Sequence, residues 1–341
     1  MKARAGDVYT VFNNYLGRYT ACQVAYIAPP DAVSKQPGAV ILSLDWVGDA
    51  PLTKDELPNL RPLYKDFMYW QRDLHLLRVP IEVPQQYTLV GTLPSFTDKP
   101  CRSYGGWSDG YDVYRQIKWQ AIPEKRRQAF KEAIESDEQT EIGGVHVKVN
   151  SHRVMDQYLP FSSALELRVL PCLSTLVCEQ WHPDLIEFLR ENPFIDELTL
   201  LHHGQKTLDL RGTNVRKLML DMTGLEELWV SDCTEYLLFQ TEDPDVCTIH
   251  APESGKYLTL DFTGQYRPHP ELVNLRGLYG ARLKVFDLSL LEKIHPHLRE
   301  LRLWGAPGTL VNFKTVSKLP ELARFSCFDL FGLRRKRKFS L

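Results

Sequence analysis

A ten-residue rhythm in the middle of the chain constrains its fold more than any other feature. A hydrophobic-x-hydrophobic triplet recurs every ten residues, from "LTL" at 198–200 to "LWV" at 228–230. Fuller copies, "IDELTL" and "VRKLML", begin 20 residues apart, a spacing within the range of leucine-rich repeats. Because one repeat cannot bury its leucines alone, neighbouring repeats must stack. We therefore expect a short leucine-rich-repeat solenoid over residues 195–333.

The first 95 residues have a different pattern, that of short strands. The segments "GDVYTVFN", "YTACQVAYI", "AVILSLDW", "HLLRVPIE" and "YTLVGTLP" are rich in Val, Tyr, Thr and Leu, and prolines or turn-prone residues separate them. Such composition with regular breaks is typical of β-strands. Five short strands in succession predict a small, barrel-like β domain over residues 1–95.

Residues 96–194 are predicted to connect these two regions. An aromatic stretch with glycines, "SYGGWSDGYDVYRQIKW", comes first. The segments "IPEKRRQAFKEAIESDEQ" and "WHPDLIEFLREN" follow, and their early prolines and helically spaced apolar residues indicate two helices. Residues 334–341, "RRKRKFSL", are predicted to be a disordered basic tail. The expected fold class is α+β and β-rich, with the small N-terminal β domain followed by the solenoid.

Composition and charge restrict the classes of function. The chain is 43% hydrophobic and 25% charged, as in ordinary soluble globular proteins. It has neither a signal peptide nor an apolar run near the roughly 18 residues that span a bilayer, so we expect a cytoplasmic protein without a membrane partner. Apart from the five basic residues of the tail, 36 bases face 43 acids. This acidic balance disfavours nucleic-acid binding.

A search for catalytic and metal-binding motifs yields no candidate. The chain has no P-loop, nucleophile elbow, zinc-protease motif or dinucleotide fingerprint, and its seven cysteines form no C-x-x-C pair. Adjacent His202 and His203 would point to opposite faces of a strand, and no ligand lies at suitable spacing from His295 and His297. The sequence therefore predicts no catalytic residue, no metal and no cofactor. "SYGGWSDGY" is interpreted as a structural turn.

An acidic segment stands out within the repeats. Between Lys217 and Lys256 there is no Lys or Arg. Stacking of repeats would collect the acids of this segment on one face, either as a solvated surface or as a docking surface for a basic protein. The nine acids are Asp221, Glu226, Glu227, Asp232, Glu235, Glu242, Asp243, Asp245 and Glu253.

The outward positions of the strands favour docking. In an L-x-L strand the leucines point inward and the middle residue points outward, which places Trp229 and Met219 on an exposed face beside carboxylates. Exposed aromatic and Met side chains in such a setting resemble an interface hot spot. The predicted partner-binding residues are Met219, Asp221, Glu226, Glu227, Trp229, Asp232, Thr259, Asp261, Arg302 and Trp304.

Two N-terminal segments carry a family resemblance. "AGDVYTVFNNYLGRYTACQVAYI" and "DFMYWQRDLHLLRVP" resemble the N-terminal domain of the immunity-protein-26 group over residues 5–93. That group begins with a G-D-x-[FY] strand, a Gly-Arg-Tyr turn and a second strand. Coupled to leucine-rich repeats, such a domain resembles the immunity proteins of bacterial polymorphic toxin systems, including the Rhs type.

The resemblance implies a protein that binds a cognate toxin domain, covers its active or target-binding surface and performs no chemistry itself. The toxin would be a basic nuclease or an enzyme that modifies proteins with NAD. Two other functions stay open at this point. One is an enzyme with a site near residues 104–114, and the other is a leucine-rich scaffold for some other protein.

Overall fold

The computed structural model describes most of the chain and contains more strand than helix. It covers residues 1–13, 15–107, 110–240, 247–251, 253, 255–261, 266 and 269–331, with side chains described except at 305–309 and 329–331. The chain divides into two compact units, Met1–Ile134 and Glu135–Leu341. The prediction that the chain mixes helices and strands, with more strand than helix, is confirmed. The basic tail 334–341 and the residues Ser108, Asp109, Glu242, Asp243 and Asp245 lie outside the described residues.

The first unit contains an antiparallel sheet in the order β6-β3-β2-β1-β7. All five strands predicted from the sequence are present in it, but the sheet is open, with β6 and β7 at its edges, rather than closed into a barrel. A short ribbon, β4-β5, lies in the segment between β3 and β6. The strands are β1 Asp7–Asn13, β2 Arg18–Ala28, β3 Gly38–Gly48, β4 Tyr64–Lys65, β5 Asp73–Leu74, β6 Leu76–Pro80 and β7 Thr88–Thr92.

Alternating side chains give this sheet an apolar cluster on each face. Tyr9 belongs to a cluster with Val24, whereas its neighbour Val8 belongs to another with Leu44. Successive residues of a strand point to opposite faces, so both faces are covered. This burial explains why the strands are apolar at nearly every position and not at every second one.

Two helices complete the first unit, α1 Tyr111–Ala121 and α2 Glu124–Ser136. Pro123 immediately precedes α2, where its fixed φ favours helix initiation, and Phe130 and Ala133 form the buried side of the helix. The predicted boundary at residue 95 therefore differs from the observed one, which falls in the last turn of α2. Helix α1 lies in the segment predicted to be a connector, because its aromatic residues follow a glycine-rich stretch.

The second unit is built mainly of short strands, with a β8-β9 hairpin at its start. Its helices are α3 Leu185–Glu191 and α4 Leu291–Ile294, and 3-10 helices span Lys54–Asn59 in the first unit and Ala164–Val169 and Phe313–Lys318 in the second. Its strands are β8 Gln139–Ile142, β9 Val145–Lys148, β10 Arg153–Met155, β11 Thr175–Cys178, β12 Glu197–Leu200, β13 Thr207–Asp209, β14 Lys217–Asp221, β15 Glu227–Trp229, β16 Tyr236–Gln240, β17 Thr248–His250, β18 Tyr257–Asp261, β19 Gly277–Ala281, β20 Val285–Asp287, β21 Glu300–Val311 and β22 Arg324–Phe331.

Ten of these strands form one sheet in which every pairing is parallel. Strands β10, β11, β12, β14, β16, β18, β19 and β21 follow one another in chain order, and β20 and β22 both pair with β21. Register partners along that series lie 19–23 residues apart in the sequence. Each interval is one repeat, so the 20-residue period of the sequence corresponds to the number of residues between one strand and the next strand that pairs with it.

Strands β13, β15 and β17 form a second parallel sheet. Its inward leucines, such as Leu228, share one core with those of the ten-stranded sheet, such as Leu218. Two sheets that bury their inner faces against a common core have outer faces on opposite sides of it. Successive triplets therefore alternate between the two sheets.

No helix among the described residues is long and apolar enough to cross a membrane.

Candidate functional site

The outer face of the ten-stranded sheet carries a row of side chains in register. Val177, Thr199, Met219, Leu238, Thr259, Tyr279 and Arg302 occupy equivalent positions on successive strands. The residues on either side of each point into the core. This strict alternation follows from the two-residue period of a strand.

A second outward row lies two residues earlier on each strand and is more aromatic. Tyr236 and Tyr257 are register partners, and their rings stack with centroids 4.7 Å apart and planes 7° from parallel. The next position is Gly277, where a Cβ atom would lie 2.5 Å from the Tyr257 ring. The glycine thus leaves the space that the ring occupies. The complete row is Thr175, Glu197, Lys217, Tyr236, Tyr257, Gly277 and Glu300.

The two rows line an open groove with a volume of about 330 Å³. Its centre is apolar, since Met219 and Leu238 lie beside the two stacked tyrosines, and these side chains are only partly buried. We call this surface the groove face, defined by Thr199, Lys217, Met219, Tyr236, Leu238, Tyr257, Thr259 and Tyr279.

Polar side chains surround the apolar centre of the groove face. On one side Lys217 forms an ion pair with Glu197. On the other, the Tyr279 hydroxyl donates a hydrogen bond of 3.0 Å to Glu300, which also pairs with Arg302 at 3.2 Å. Burial, followed by that hydrogen bond, raises the pKa of the Tyr279 hydroxyl, so the group stays a donor at neutral pH. An apolar centre within a polar rim is the usual anatomy of a protein interface.

Two acids of the acidic segment, Glu226 and Glu235, are neutralised by bases that lie outside that segment. Glu235 accepts from Arg216 at 2.6 Å and from Lys256 at 2.8 Å, and Glu226 pairs with Lys206 at 2.7 Å. These partners lie 19–21 residues away, one repeat in either direction. A segment without bases in the sequence is therefore not a surface without bases in space, and Glu226 and Glu235 add no unpaired negative charge to the predicted acidic face.

Part of the predicted partner-binding set lies on the ten-stranded sheet. Met219 and Thr259 line the groove, and exposed Arg302 continues their row. Asp261 lies two positions further along its strand and pairs with Arg282 at 2.6 Å, while Trp304 is 41% exposed. Asp221, also at a strand end, accepts from the Thr223 hydroxyl at 2.7 Å and from the Thr223 backbone N–H at 3.0 Å.

The rest of the predicted set lies elsewhere. Trp229 and Glu227 belong to β15 of the second sheet, and Glu226 immediately precedes it. The Trp229 ring stacks on His250 at 3.6 Å with the Arg211 guanidinium 4.1 Å from its centroid, and exposed Asp232 follows β15. The prediction that Trp229 and Met219 share one face is wrong, because the triplet at 228–230 is in phase with the second sheet.

The tyrosines of the groove face are not among the predicted partner-binding residues. The predicted residues come from the middle of each triplet and from the position after it, whereas the tyrosines lie at the position before the triplet. That preceding position shares a face with the middle one because side chains alternate with a period of two. "YLLF" and "YLTL" therefore already place Tyr236 and Tyr257 on the outer face.

A buried polar chain in the first unit bears on the enzyme alternative. The Ser43 hydroxyl lies 2.8 Å from His75 Nδ1, and His75 Nε2 lies 3.1 Å from the Asp112 carboxylate. The hydrogen bond from His75 holds the pKa of Asp112 below its usual value. Burial lowers the pKa of the nearby Lys65.

The direction of this chain is the reverse of what a nucleophilic serine needs. Ser43 is 9% exposed and His75 is 7% exposed, whereas the Asp112 side chain is 29% exposed, so the carboxylate is the end of the chain that is open to solvent and the hydroxyl is buried. A catalytic serine must reach the substrate, with the carboxylate buried behind the histidine. The arrangement favours cross-linking of β3, the residues before β6, and α1.

Comparison of the sequence with known proteins identifies no relative. No protein-family model matches the chain, and no curated protein matches it significantly. The function must therefore be inferred from the residues of the groove face and of the first unit.

Proposed function

We propose that this chain is an immunity-type binding protein. In this proposal it neutralises a cognate toxin domain by covering the toxin's active or target-binding surface, and it performs no chemistry of its own. The groove face is the surface that recognises the toxin. Neither nucleic acid nor a membrane is a partner, and the protein acts in the cytoplasm where the toxin would otherwise reach its target.

We further propose that the second unit is a leucine-rich-repeat solenoid. Three features support this. Its parallel strands recur every 19–23 residues, a second row of strands runs between them, and leucines from both rows fill one core. Such repeats stack into extended binding surfaces, and their outward residues vary without disturbing the core.

One observation carries the functional proposal: the apolar, aromatic centre of the groove face is open to solvent. Met219, Leu238 and the stacked pair Tyr236 and Tyr257 do not face the core, so folding alone does not explain their chemistry. Tyrosines are enriched at interface hot spots, and a ring that is already stacked loses little conformational entropy on binding. The described residues that line the groove include no set of titratable groups suited to catalysis.

The class of partner comes from the N-terminal resemblance over residues 5–93 and remains part of the proposal. The partner is a toxin domain, either a basic nuclease or an enzyme that modifies proteins with NAD. Since Glu226 and Glu235 are paired with bases, most of the affinity is assigned to apolar contacts on the groove face. Charge pairing at its rim then sets the orientation of the complex.

The experiment that tests the proposal is co-expression with the product of the adjacent gene. We expect that product to arrest growth alone, and this chain to restore growth and to co-purify with it in a 1:1 complex. Growth arrest that persists despite equal expression of both proteins would contradict the proposal. A matched strain carrying Leu238→Asp should not be rescued, because the new carboxylate lies in the apolar centre of the groove.

A further inference from the structure

Three metal-ligating side chains from separate parts of the second unit meet at one end of the ten-stranded sheet. Asp156 directly follows β10, Cys178 ends β11, and His182 lies in the loop before α3. One ligand atom of each lies within 4.8 Å of the others. The parallel pairing of β10 with β11 creates this meeting, because it aligns the carboxyl ends of two strands that are 22 residues apart in register.

The separation between His182 and Asp156 is close to that between two ligands of a tetrahedral ion. Zinc binds nitrogen and oxygen at about 2.0–2.1 Å and sulfur at about 2.3 Å, so tetrahedral ligand atoms lie roughly 3.3–3.6 Å apart. His182 Nε2 and the Asp156 carboxylate are 3.5 Å apart. This distance is long for a hydrogen bond between them but suits two ligands of one ion. The three ligand atoms all lie within 4.8 Å of one another, so the distances from the sulfur to the other two need to shorten by roughly 1.2 Å at most.

Both Asp156 and His182 are held in place by their surroundings. The Asp156 carboxylate accepts the backbone N–H of Glu179 at 2.8 Å and that of Gln180 at 3.1 Å. The His182 ring packs against Phe161, with centroids 4.3 Å apart. Such supporting contacts fix the orientation of metal ligands and raise affinity.

The position of Cys178 is also unusual for its row. Its register partners on the following strands, Leu200, Leu220, Phe239 and Leu260, are large and apolar. Cys178 itself is fully buried beside a carboxylate that is 9% exposed. A divalent cation at this place would favour the thiolate and offset both negative charges.

We propose that Asp156, Cys178 and His182 form a zinc site. Mixed sulfur, nitrogen and oxygen donors suit Zn²⁺ better than Mg²⁺ or Ca²⁺, which prefer oxygen alone. Asp156 and His182 keep a slight exposure of 9% and 7%, and a water molecule completes the fourth position from that side. The ion ties β10 and β11 to the loop before α3, and so stabilises the first strands of the stack. The site does not depend on the proposed function.

Cobalt provides the direct test, because a cobalt–thiolate bond has a characteristic charge-transfer absorption. The full-length protein is stripped with chelator, titrated with Co²⁺, and then with Zn²⁺. We expect one equivalent of Co²⁺ to produce the thiolate band and one equivalent of Zn²⁺ to abolish it. Absence of the band in folded wild-type protein overturns the proposal.

Two serine variants locate the ion. Cys178→Ser removes the proposed ligand, whereas Cys172→Ser makes the same change at a buried cysteine, 2% exposed, outside the cluster. We expect Cys172→Ser to keep the band and Cys178→Ser to lose it, along with the rise in melting temperature that Zn²⁺ gives to the wild type. An unaltered band in Cys178→Ser overturns the assignment. If Cys178→Ser fails to fold, His182→Gln serves in its place. A thiolate band with undiminished Co²⁺ affinity in His182→Gln likewise overturns the assignment.

Discussion

At the scale of single residues, burial determines how the histidines of the repeats behave. His295 is fully buried, and burial, with a smaller contribution from His269, lowers its pKa to about 4. Its imidazole is therefore neutral at physiological pH and acts as part of the core. A buried neutral histidine links stability to pH.

Acid should therefore destabilise the second unit through His295. The unfolded chain protonates this residue near pH 6.5, whereas the folded chain does not do so until about pH 4. Stability is fully present above pH 6.5 and is lost as the pH falls towards 4, by about 2 kcal/mol between pH 7 and 5. Urea unfolding at both pH values should show this loss reduced in His295→Leu. The same change at exposed His146 should leave it intact, and equal losses in both variants would contradict the account.

The buried ion triad of Glu235 makes a second residue-scale prediction. Glu235 is 15% exposed and pairs with Arg216 and Lys256 from the neighbouring repeats. Removing one member of a partly buried network leaves the others unpaired, so Glu235→Ala should lower the free energy of unfolding by about 1–3 kcal/mol.

An exposed pair in the same unit provides the control for Glu235. Glu226→Ala breaks the contact with Lys206, in which both side chains are more than half exposed, and should cost less than about 1 kcal/mol. Denaturant unfolding compares the two variants. Similar losses for both would mean that Glu235 is not buried as described.

At the scale of elements, strand alternation creates the groove face. Every second residue is committed to the core, and the remaining positions are free to vary. Gly277 is informative because it lacks a side chain in a row of larger ones, where the Tyr257 ring takes its space. The glycine therefore contributes to the binding surface by what it leaves open.

Gly277→Ala should disturb that surface. Its Cβ would lie 2.5 Å from the Tyr257 ring, so the ring must shift and its stacking on Tyr236 is disturbed, at a cost of about 1–3 kcal/mol in stability. Partner affinity should fall at least about tenfold. Gly106→Ala is the matched control, because no atom lies within 4 Å of the added Cβ. Titration calorimetry measures both, and unchanged affinity in Gly277→Ala would argue against the stacked pair as part of the interface.

The elements also indicate how far sequence alone leads. The strands of the first sheet and helices α2 and α3 follow from local composition, and the 20-residue period predicts the spacing of the parallel strands. Sequence alone does not reveal that Glu226 and Glu235 are paired, because Lys206 and Lys256 lie one repeat away from them. Trp229 was misplaced because two sheets share the ten-residue rhythm. Such errors arise where contacts are distant in sequence but close in space.

At the scale of the whole molecule, the proposal assigns different features to the two units. Residues 5–93, which carry the resemblance to immunity proteins, lie in the first unit, and the groove face lies in the second. Side chains separated by a repeat or more converge in the second unit, both at the groove and at the Asp156 cluster. Neither site could be read from a local motif, since each draws residues from several strands that only the parallel stacking brings together.

We expect the groove face, rather than the second sheet, to bind the partner. The most direct measurement is the Kd of the co-purified toxin domain for three proteins: wild type, a Tyr236→Ala/Tyr257→Ala variant, and Trp229→Ala, each checked for folding by circular dichroism. We expect the double tyrosine variant to bind at least about 30-fold more weakly, as for a hot spot worth about 2 kcal/mol, and Trp229→Ala to bind as the wild type does. Full affinity in the folded tyrosine variant, with loss in Trp229→Ala, would contradict the account.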